Sequence, residues 1–172
     1  MTAIINLFGG PGSGKSVAAA EVYASLSRAG KKVELVREYI KDWVWEGRKR
    51  FFMDQVYVLA KQMRKEQVCL GQVDYIVTDS PVLLSAFYED KYGNNSATLT
   101  EIIFKYQDEI STEGHTQHNF FMSRGFKYVE AGRYQTEEEA RQIDTEMKTF
   151  CDHRNVKYCT AVDSFEISRL FL

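Results

Sequence analysis

The sequence predicts an α/β domain of three layers, with helices on both faces of a mostly parallel five-stranded sheet. Three observations lead there. Strand-length apolar runs alternate with stretches whose apolar residues recur every three or four positions. The chain has only two prolines, and neither repeats nor low-complexity segments interrupt it. Its 172 residues, 44% of them hydrophobic, suffice for one packed core and fall short of two ordinary domains, so residues 1–172 read as one domain.

Residues 3–8, Ala-Ile-Ile-Asn-Leu-Phe, are almost continuously apolar, as a strand covered on both faces requires. A helix over 16–29 follows, with Ala19, Val22, Tyr23 and Leu26 on one face and Gly30 where a C-cap belongs. Residues 33–36 give a second strand. Phe52, Val56, Leu59 and Met63 share one face of a helix over about 51–67. A third buried strand spans 75–78. Beyond Pro81 come a helical stretch over 82–88, a polar turn over 91–97 and a helix from about 99. The fourth strand is placed at 118–123. Thr136 and Glu139 form a capping box that opens a helix with Ala140, Ile143, Met147 and Phe150 as its apolar face. A fifth strand at 157–160 precedes a short terminal helix, opened by Asp163 and Glu166 in the same arrangement.

A net charge of −2 gives no whole-molecule attraction to nucleic acid, though a local basic patch still binds phosphates. Cys69, Cys151 and Cys159 are odd in number and lack ligand spacing, which points away from a disulfide framework or a zinc site and toward a reducing cytosol. His115, His118 and His153 are likewise not spaced as ligands and receive no chemistry. The run at 3–8 is followed by glycines and preceded by no basic segment, so it is not read as a signal peptide. Apolar runs stay well short of the roughly 20 residues of a membrane span, and a soluble, cytoplasmic protein without membrane contact is expected.

Residues 9–16, Gly-Gly-Pro-Gly-Ser-Gly-Lys-Ser, satisfy the pattern G-x-x-x-x-G-K-[ST] between a predicted strand and a predicted helix. In such a P-loop the glycines let the backbone turn its amides inward, and those amides, with the helix N-terminus, hold phosphate oxygens. Gly10, Gly12, Ser13, Gly14, Lys15 and Ser16 are the expected ATP contacts, with Lys15 on the β- and γ-phosphates and the Ser16 hydroxyl on magnesium. A glycine-rich turn that binds nothing has no need of Lys and Ser at these places. Asp79 closes the third strand, where a Walker B carboxylate holds magnesium; a helix N-cap before Pro81 is the competing role.

Ligands of open α/β sheets gather at the carboxyl ends of the strands. After the second strand stand Arg37, Glu38, Asp42 and Trp43. Glu38, with Asp42 second, is the expected base that accepts the proton of an attacking hydroxyl, and Arg37 is placed to steady an acceptor phosphate. Solvated charges of a first helical turn are the plainer account of these carboxylates. Trp43, Trp45, Phe51 and Phe52, interleaved with Arg48, Lys49 and Arg50, offer a stacking platform with a basic rim, or ordinary core aromatics. Gln55 is a candidate for a base edge. After the fourth strand, a lid-like segment over about 124–136 carries Arg133 and, second, Arg124 as arginines to close on the transferring phosphoryl group; surface arginines in a connection are the alternative.

The chain resembles small P-loop kinases of phage and bacterial type. It is similar to the ribosylnicotinamide kinase domain, to the kinase half of phage polynucleotide kinase, and to phage enzymes that phosphorylate hydroxymethylated pyrimidines in DNA. The resemblance rests on residues 9–16, on Arg37-Glu38-Tyr39, on Thr78-Asp79-Ser80-Pro81, and on Ala131-Gly132-Arg133 with the Thr-Glu-Glu-Glu-Ala that follows at 136–140. It implies a nucleoside or nucleotide kinase-like P-loop NTPase fold, ATP and Mg2+ as cofactors, a carboxylate base after the second strand and a lid arginine, roles that fall on Glu38 and Arg133. Polynucleotide kinases usually carry aspartate where Glu38 stands, and the carboxylate and aromatics there also resemble deoxynucleoside kinases. The expected reaction is transfer of the γ-phosphoryl group of ATP to a hydroxyl of a nucleoside, nucleotide or DNA, with a hydroxymethylpyrimidine in DNA favoured. Free nucleosides or nucleotides, ribosylnicotinamide and 5′-hydroxyl DNA are the other acceptors. A phage-encoded copy would work in the host cytoplasm. A non-kinase P-loop ATPase and a protein that holds ATP without turnover are the competing classes.

Overall fold

The computed structural model describes residues 1–39, 45–47, 52–92, 97–125, 127–131, 133 and 135–172, the side chains at 52–54 and 97 excepted. Five parallel strands, β1 (Ala3–Phe8), β2 (Val33–Val36), β3 (Tyr75–Thr78), β4 (Thr116–Met122) and β5 (Cys159–Ala161), form one sheet in the order β2-β3-β1-β4-β5. Among the described residues six helices accompany them: α1 (Lys15–Arg28), α2 (Phe52–Gln67), α3 (Leu83–Tyr92), α4 (Ala97–Thr112), α5 (Glu137–His153) and α6 (Ser164–Arg169).

Pleating sorts the strand residues between two cores. Ile4, Phe8, Ile76 and Phe121 face the layer that holds α2 to α5, whereas Ile5, Leu7, Val77, Phe120 and Met122 pack against α1 and α6. The one polar residue inside β1, Asn6, is buried and satisfied, donating to Gln117 Oε1 at 3.2 Å and Asn119 Oδ1 at 2.9 Å. Register brings the strand ends level: Thr78 lies opposite both Asn6 and Val36, and Met122 lies opposite Ala161. The chain leaves β1 for β2 by stepping over β3, and later returns to the other side of β1 with β4. This reversal opens a crevice beside the end of β1.

The five-strand parallel α/β fold expected from sequence is observed, with shifts at the ends of elements. β4 starts and ends earlier than expected because its exposed first residues still pair with β1, as in Ala3↔Thr116. β5 is confined to three residues, paired with β4 from Phe120↔Cys159. α3 continues through Lys91 and Tyr92, residues assigned from sequence to a turn. The α5 capping box forms as expected: Glu139 N donates to Thr136 Oγ1 at 3.3 Å and Thr136 N to Glu139 Oε2 at 2.7 Å. Asp163 caps α6 by accepting from the amides of Phe165 and Glu166. Among the described residues no helix is long and apolar enough to cross a membrane.

Candidate functional site

β1 delivers the chain to the crevice at Gly9, and the loop that follows turns through left-handed backbone at Gly12 (φ 75°) and Gly14 (φ 92°). Gly14 is the N-cap of α1 and offers no side-chain cap, and the first turn of that helix holds no acidic residue. Its amides are thereby left to an outside acceptor, and the helix dipole favours an anion there. The Lys15 ammonium donates to the carbonyls of Gly9 at 2.6 Å and Gly10 at 3.0 Å. Burial pushes its pKa down; the carboxylates of Glu38, Asp79 and Asp144 oppose this, and the Arg124 guanidinium adds to it. Ser13 is buried, and its hydroxyl has no hydrogen-bond partner among the described residues. Ser16 is exposed in the first turn of α1. Left-handed loop amides, an uncapped helix end, an ammonium and an orphan hydroxyl together form a donor set that suits phosphate oxygens.

The side expected from sequence to take an acceptor, called the acceptor side, lies at the ends of β2 and β3. Asp79, only 4% exposed, follows β3, and its Oδ1 accepts from the amide of Glu38 at 2.9 Å. This bond ties the segment after β2 to the end of its neighbouring strand and draws the carboxylates of Glu38 and Asp79 into the field of Lys15. Arg37 is exposed, and its carbonyl accepts from Lys65 Nζ at 2.9 Å. Beyond it Tyr39 and Tyr57 meet edge to face with their hydroxyls 3.0 Å apart, while Lys65 and Lys61 lie over their rings. Gln55 is half-buried near the start of α2. Deeper along the same helix Gln62 donates to Thr78 Oγ1 at 3.4 Å, so the inner stripe of α2 runs along the acceptor side. Asp42, Trp43, Arg48, Lys49, Arg50, Phe51 and Gly132 lie outside the described residues, as does the side chain of Phe52.

The opposite wall comes from the segment after β4 and from α5. Arg124 pairs through Nε with Asp144 Oδ2, and it donates from Nη1 to Pro11 O at 2.9 Å and from Nη2 to Ala140 O at 2.8 Å. Asp144 Oδ1 accepts from Gly10 N at 2.5 Å. The Tyr128 ring rests on the loop where a Cβ on Gly12 would stand 2.6 Å from it, and its hydroxyl donates to Gln135 O at 2.5 Å. Arg133 lies over that ring at 5.1 Å, with a buried Nη1 that has no hydrogen-bond partner among the described residues.

The structure thus brings Lys15, Glu38 and Asp79 into one electrostatic neighbourhood and stacks Arg133 over a tyrosine seated on the loop. Arg124 is spent on protein carbonyls and a carboxylate. Sequence reading passed over Asp144 and Tyr128. For Asp144 a signal existed: it stands four residues after Ala140, a position already assigned to the buried face of α5. Tyr128 sits in irregular chain, where no periodicity marks it.

A search of curated proteins gives no match. Among solved structures, the chain resembles thymidylate kinase from Ehrlichia chaffeensis, with a TM-score of 0.66 and 11% sequence identity over 99% of this chain and 98% of that one. At that identity the likeness establishes the fold, a P-loop NTPase fold. The profile of the AAA domain matches residues 4–166, nearly the whole chain and all five strands, and the protein belongs to that family of P-loop NTPase-like domains.

Proposed function

We propose that the protein is an ATP- and magnesium-dependent kinase that transfers the γ-phosphoryl group to a hydroxyl of a nucleoside, nucleotide or nucleic acid. The observation that carries this reading is the tie of Glu38 to Asp79 beside Lys15, which sets two carboxylates next to the cation of a phosphate loop. A hydrolase needs only to orient water; a carboxylate on the segment after β2, near the loop's lysine, suits the base that takes the proton of an incoming hydroxyl. Glu38 is the base in this reading, with Asp42 second.

The loop from Gly10 to Gly14, with Lys15, holds the phosphates. Ser16 and Asp79 supply hard oxygen donors for magnesium, which neutralises charge on the transferring group when bound. Arg133, stacked over Tyr128 with a buried nitrogen that has no partner among the described residues, is in this reading the arginine that closes on the phosphoryl group. Arg37 and Gln55 serve the acceptor in this reading, together with Asp42, Trp43 and Phe52, whose roles come from the sequence alone.

The favoured acceptor is the hydroxymethyl group of a modified pyrimidine in DNA, supported by the aromatic-basic sequence over 43–52 and by the rim of Tyr39, Tyr57, Lys61 and Lys65. The likeness to a protein named as thymidylate kinase supports a kinase and keeps free nucleosides and nucleotides as acceptors. The test incubates the protein with γ-labelled ATP and magnesium and offers nucleosides, mononucleotides, ribosylnicotinamide, 5′-hydroxyl DNA and hydroxymethylpyrimidine DNA in turn. Label on one acceptor identifies the reaction and the substrate. Label released only as free phosphate, with every acceptor present, ends the kinase reading in favour of an ATPase.

A further inference from the structure

We propose that Arg124 and Asp144 are positioning residues: a mostly buried ion pair that brackets the phosphate loop from outside and sets its affinity for nucleotide. The inference rests on reading residues 9–16 as a phosphate loop, and it adds that the motif alone does not fix the loop's shape.

Every polar atom of the two side chains has a partner. Each oxygen of Asp144 accepts from one donor, Gly10 N on Oδ1 and Arg124 Nε on Oδ2. Each nitrogen of Arg124 donates to one acceptor, Nη1 to the carbonyl of Pro11 and Nη2 to that of Ala140 besides Nε to Asp144. Side-chain exposure is 12% for Arg124 and 17% for Asp144, so little water competes for these bonds. Two peptide planes of the loop are held in this way. The plane between Gly9 and Gly10 is held by its N–H, and the plane between Pro11 and Gly12 by its C=O. The packing is at contact, since a Cβ on Gly10 would lie 2.6 Å from Ala140 O and 3.0 Å from both Arg124 Nη2 and Asp144 Oδ1.

The charges say what kind of work this is. Arg124 and Asp144 act on Lys15 with opposite signs, so the bracket adds no net attraction for an anion. Replacing a buried ion pair by apolar groups is often neutral for stability, so its distinctive contribution here is geometric. A loop whose planes are already set binds phosphate without an ordering cost. Arginine is required because three acceptors in different directions need the planar fork, which lysine lacks. Aspartate is required because two donors need two oxygens; an asparagine would turn its amide nitrogen toward one of them.

The test is isothermal titration of Mg-ATP and Mg-ADP into the parent protein, Asp144→Ala, Asp144→Asn, Arg124→Ala, Arg124→Lys and the double alanine variant, with the folded fraction of each checked by thermal melts. Expected is a loss of affinity of about ten- to a hundredfold for both nucleotides in every single variant, including the conservative ones. The double variant should lose no more than the worse single one, because the pair acts as a unit. If an alanine variant fails to fold, Asp144→Asn and Arg124→Lys decide. Folded variants that bind within about twofold of the parent overturn the proposal. A loss of binding that merely tracks the unfolded fraction also overturns it. Intact ATP binding with no acceptor labelled removes the kinase reading and leaves the bracket standing, whereas a parent protein that binds no ATP overturns both.

Discussion

On the β4 and α5 side of the crevice the donors are main-chain amides of the loop and of the uncapped start of α1, and the loop is held through Gly10 N and the carbonyls of Gly9, Gly10 and Pro11 by Asp144, Lys15 and Arg124. On the β2 and β3 side, side chains are brought together from separate elements, Glu38 and Asp79 with Gln62 and the Tyr39 and Tyr57 rim. The difference has a physical consequence. Backbone geometry depends on glycine and on bracing, so the phosphate half tolerates few changes and reads a ligand common to many enzymes. Side-chain geometry depends on residue identity, so in the proposed reaction substrate choice would reside in the β2 and β3 half, the acceptor half.

The comparison breaks most visibly at Lys15. Lys15→Met keeps most of the apolar stem and removes the cation, leaving the carboxylates of Glu38 and Asp79 facing an incoming triphosphate without the Lys15 charge. Both ATP affinity and transfer should fall, transfer by about a thousandfold. Steady-state kinetics with the labelled acceptor checks it, and wild-type turnover in that variant would remove Lys15 from the chemistry.

Glu38→Gln should separate the halves instead of disabling both. Its backbone amide can still donate to Asp79, so the tie survives while the proton acceptor is gone. Transfer should drop by about a hundredfold or more with ATP affinity nearly unchanged. A fall in ATP affinity equal to the fall in rate would place Glu38 in the phosphate half and return the base to Asp42 or Asp79.

The same contrast explains which parts of the site could be read in advance. The phosphate loop is contiguous, and its requirements are for residue types that nothing else demands in that order, so residues 9–16 were legible outright. Glu38 and Asp79 were legible from a topological rule, because both follow strands whose carboxyl ends share an edge. The five strands announced themselves as short apolar runs; their ends did not, since the exposed start of β4 is decided by pairing with β1 and not by its own hydrophobicity. Arg124 was legible as a basic residue near the loop, but its orientation toward Pro11 and Ala140 depends on how α5 docks. Asp144 and Tyr128 act through contacts with residues more than a hundred positions away in the chain, which no local pattern encodes.

The helices behind the two halves differ as well. α2, behind the acceptor half, buries Glu66 in the core, where loss of hydration raises its pKa to about 8; the Val82 amide and the Tyr106 hydroxyl oppose this only in part. The folded chain therefore keeps the proton up to about pH 8, whereas the unfolded chain releases it near the ordinary 4.5. Between those values the native state binds more protons than the unfolded one, so this group's contribution falls as pH rises through the window and is level above it. Glu66→Gln should abolish that slope. Urea unfolding at pH 5 and pH 9 should show the variant gaining about 4 kcal/mol over the parent from the lower to the higher pH. Parallel profiles for the two proteins would mean that the Glu66 carboxyl is hydrated in the native state.

α5, behind the phosphate half, depends instead on an exposed cap, and the smallest effect is expected there. Thr136 Oγ1 accepts from Glu139 N, and Glu137, Glu138 and Glu139 crowd the first turn. Thr136→Ala loses the hydroxyl half of the capping box and should cost about 1 kcal/mol, measured as a shift of the urea midpoint with unchanged slope. Ala140 and Asp144 lie one and two turns further in, and they fix the loop through Arg124 and Gly10. If the first turn of α5 is rigidly coupled to that bracket, Thr136→Ala will also weaken ATP binding. If fraying stops before Ala140, stability will fall while ATP affinity holds. The second outcome is expected, because Ala140 and Ile143 are fully buried and anchor the helix from its second turn onward.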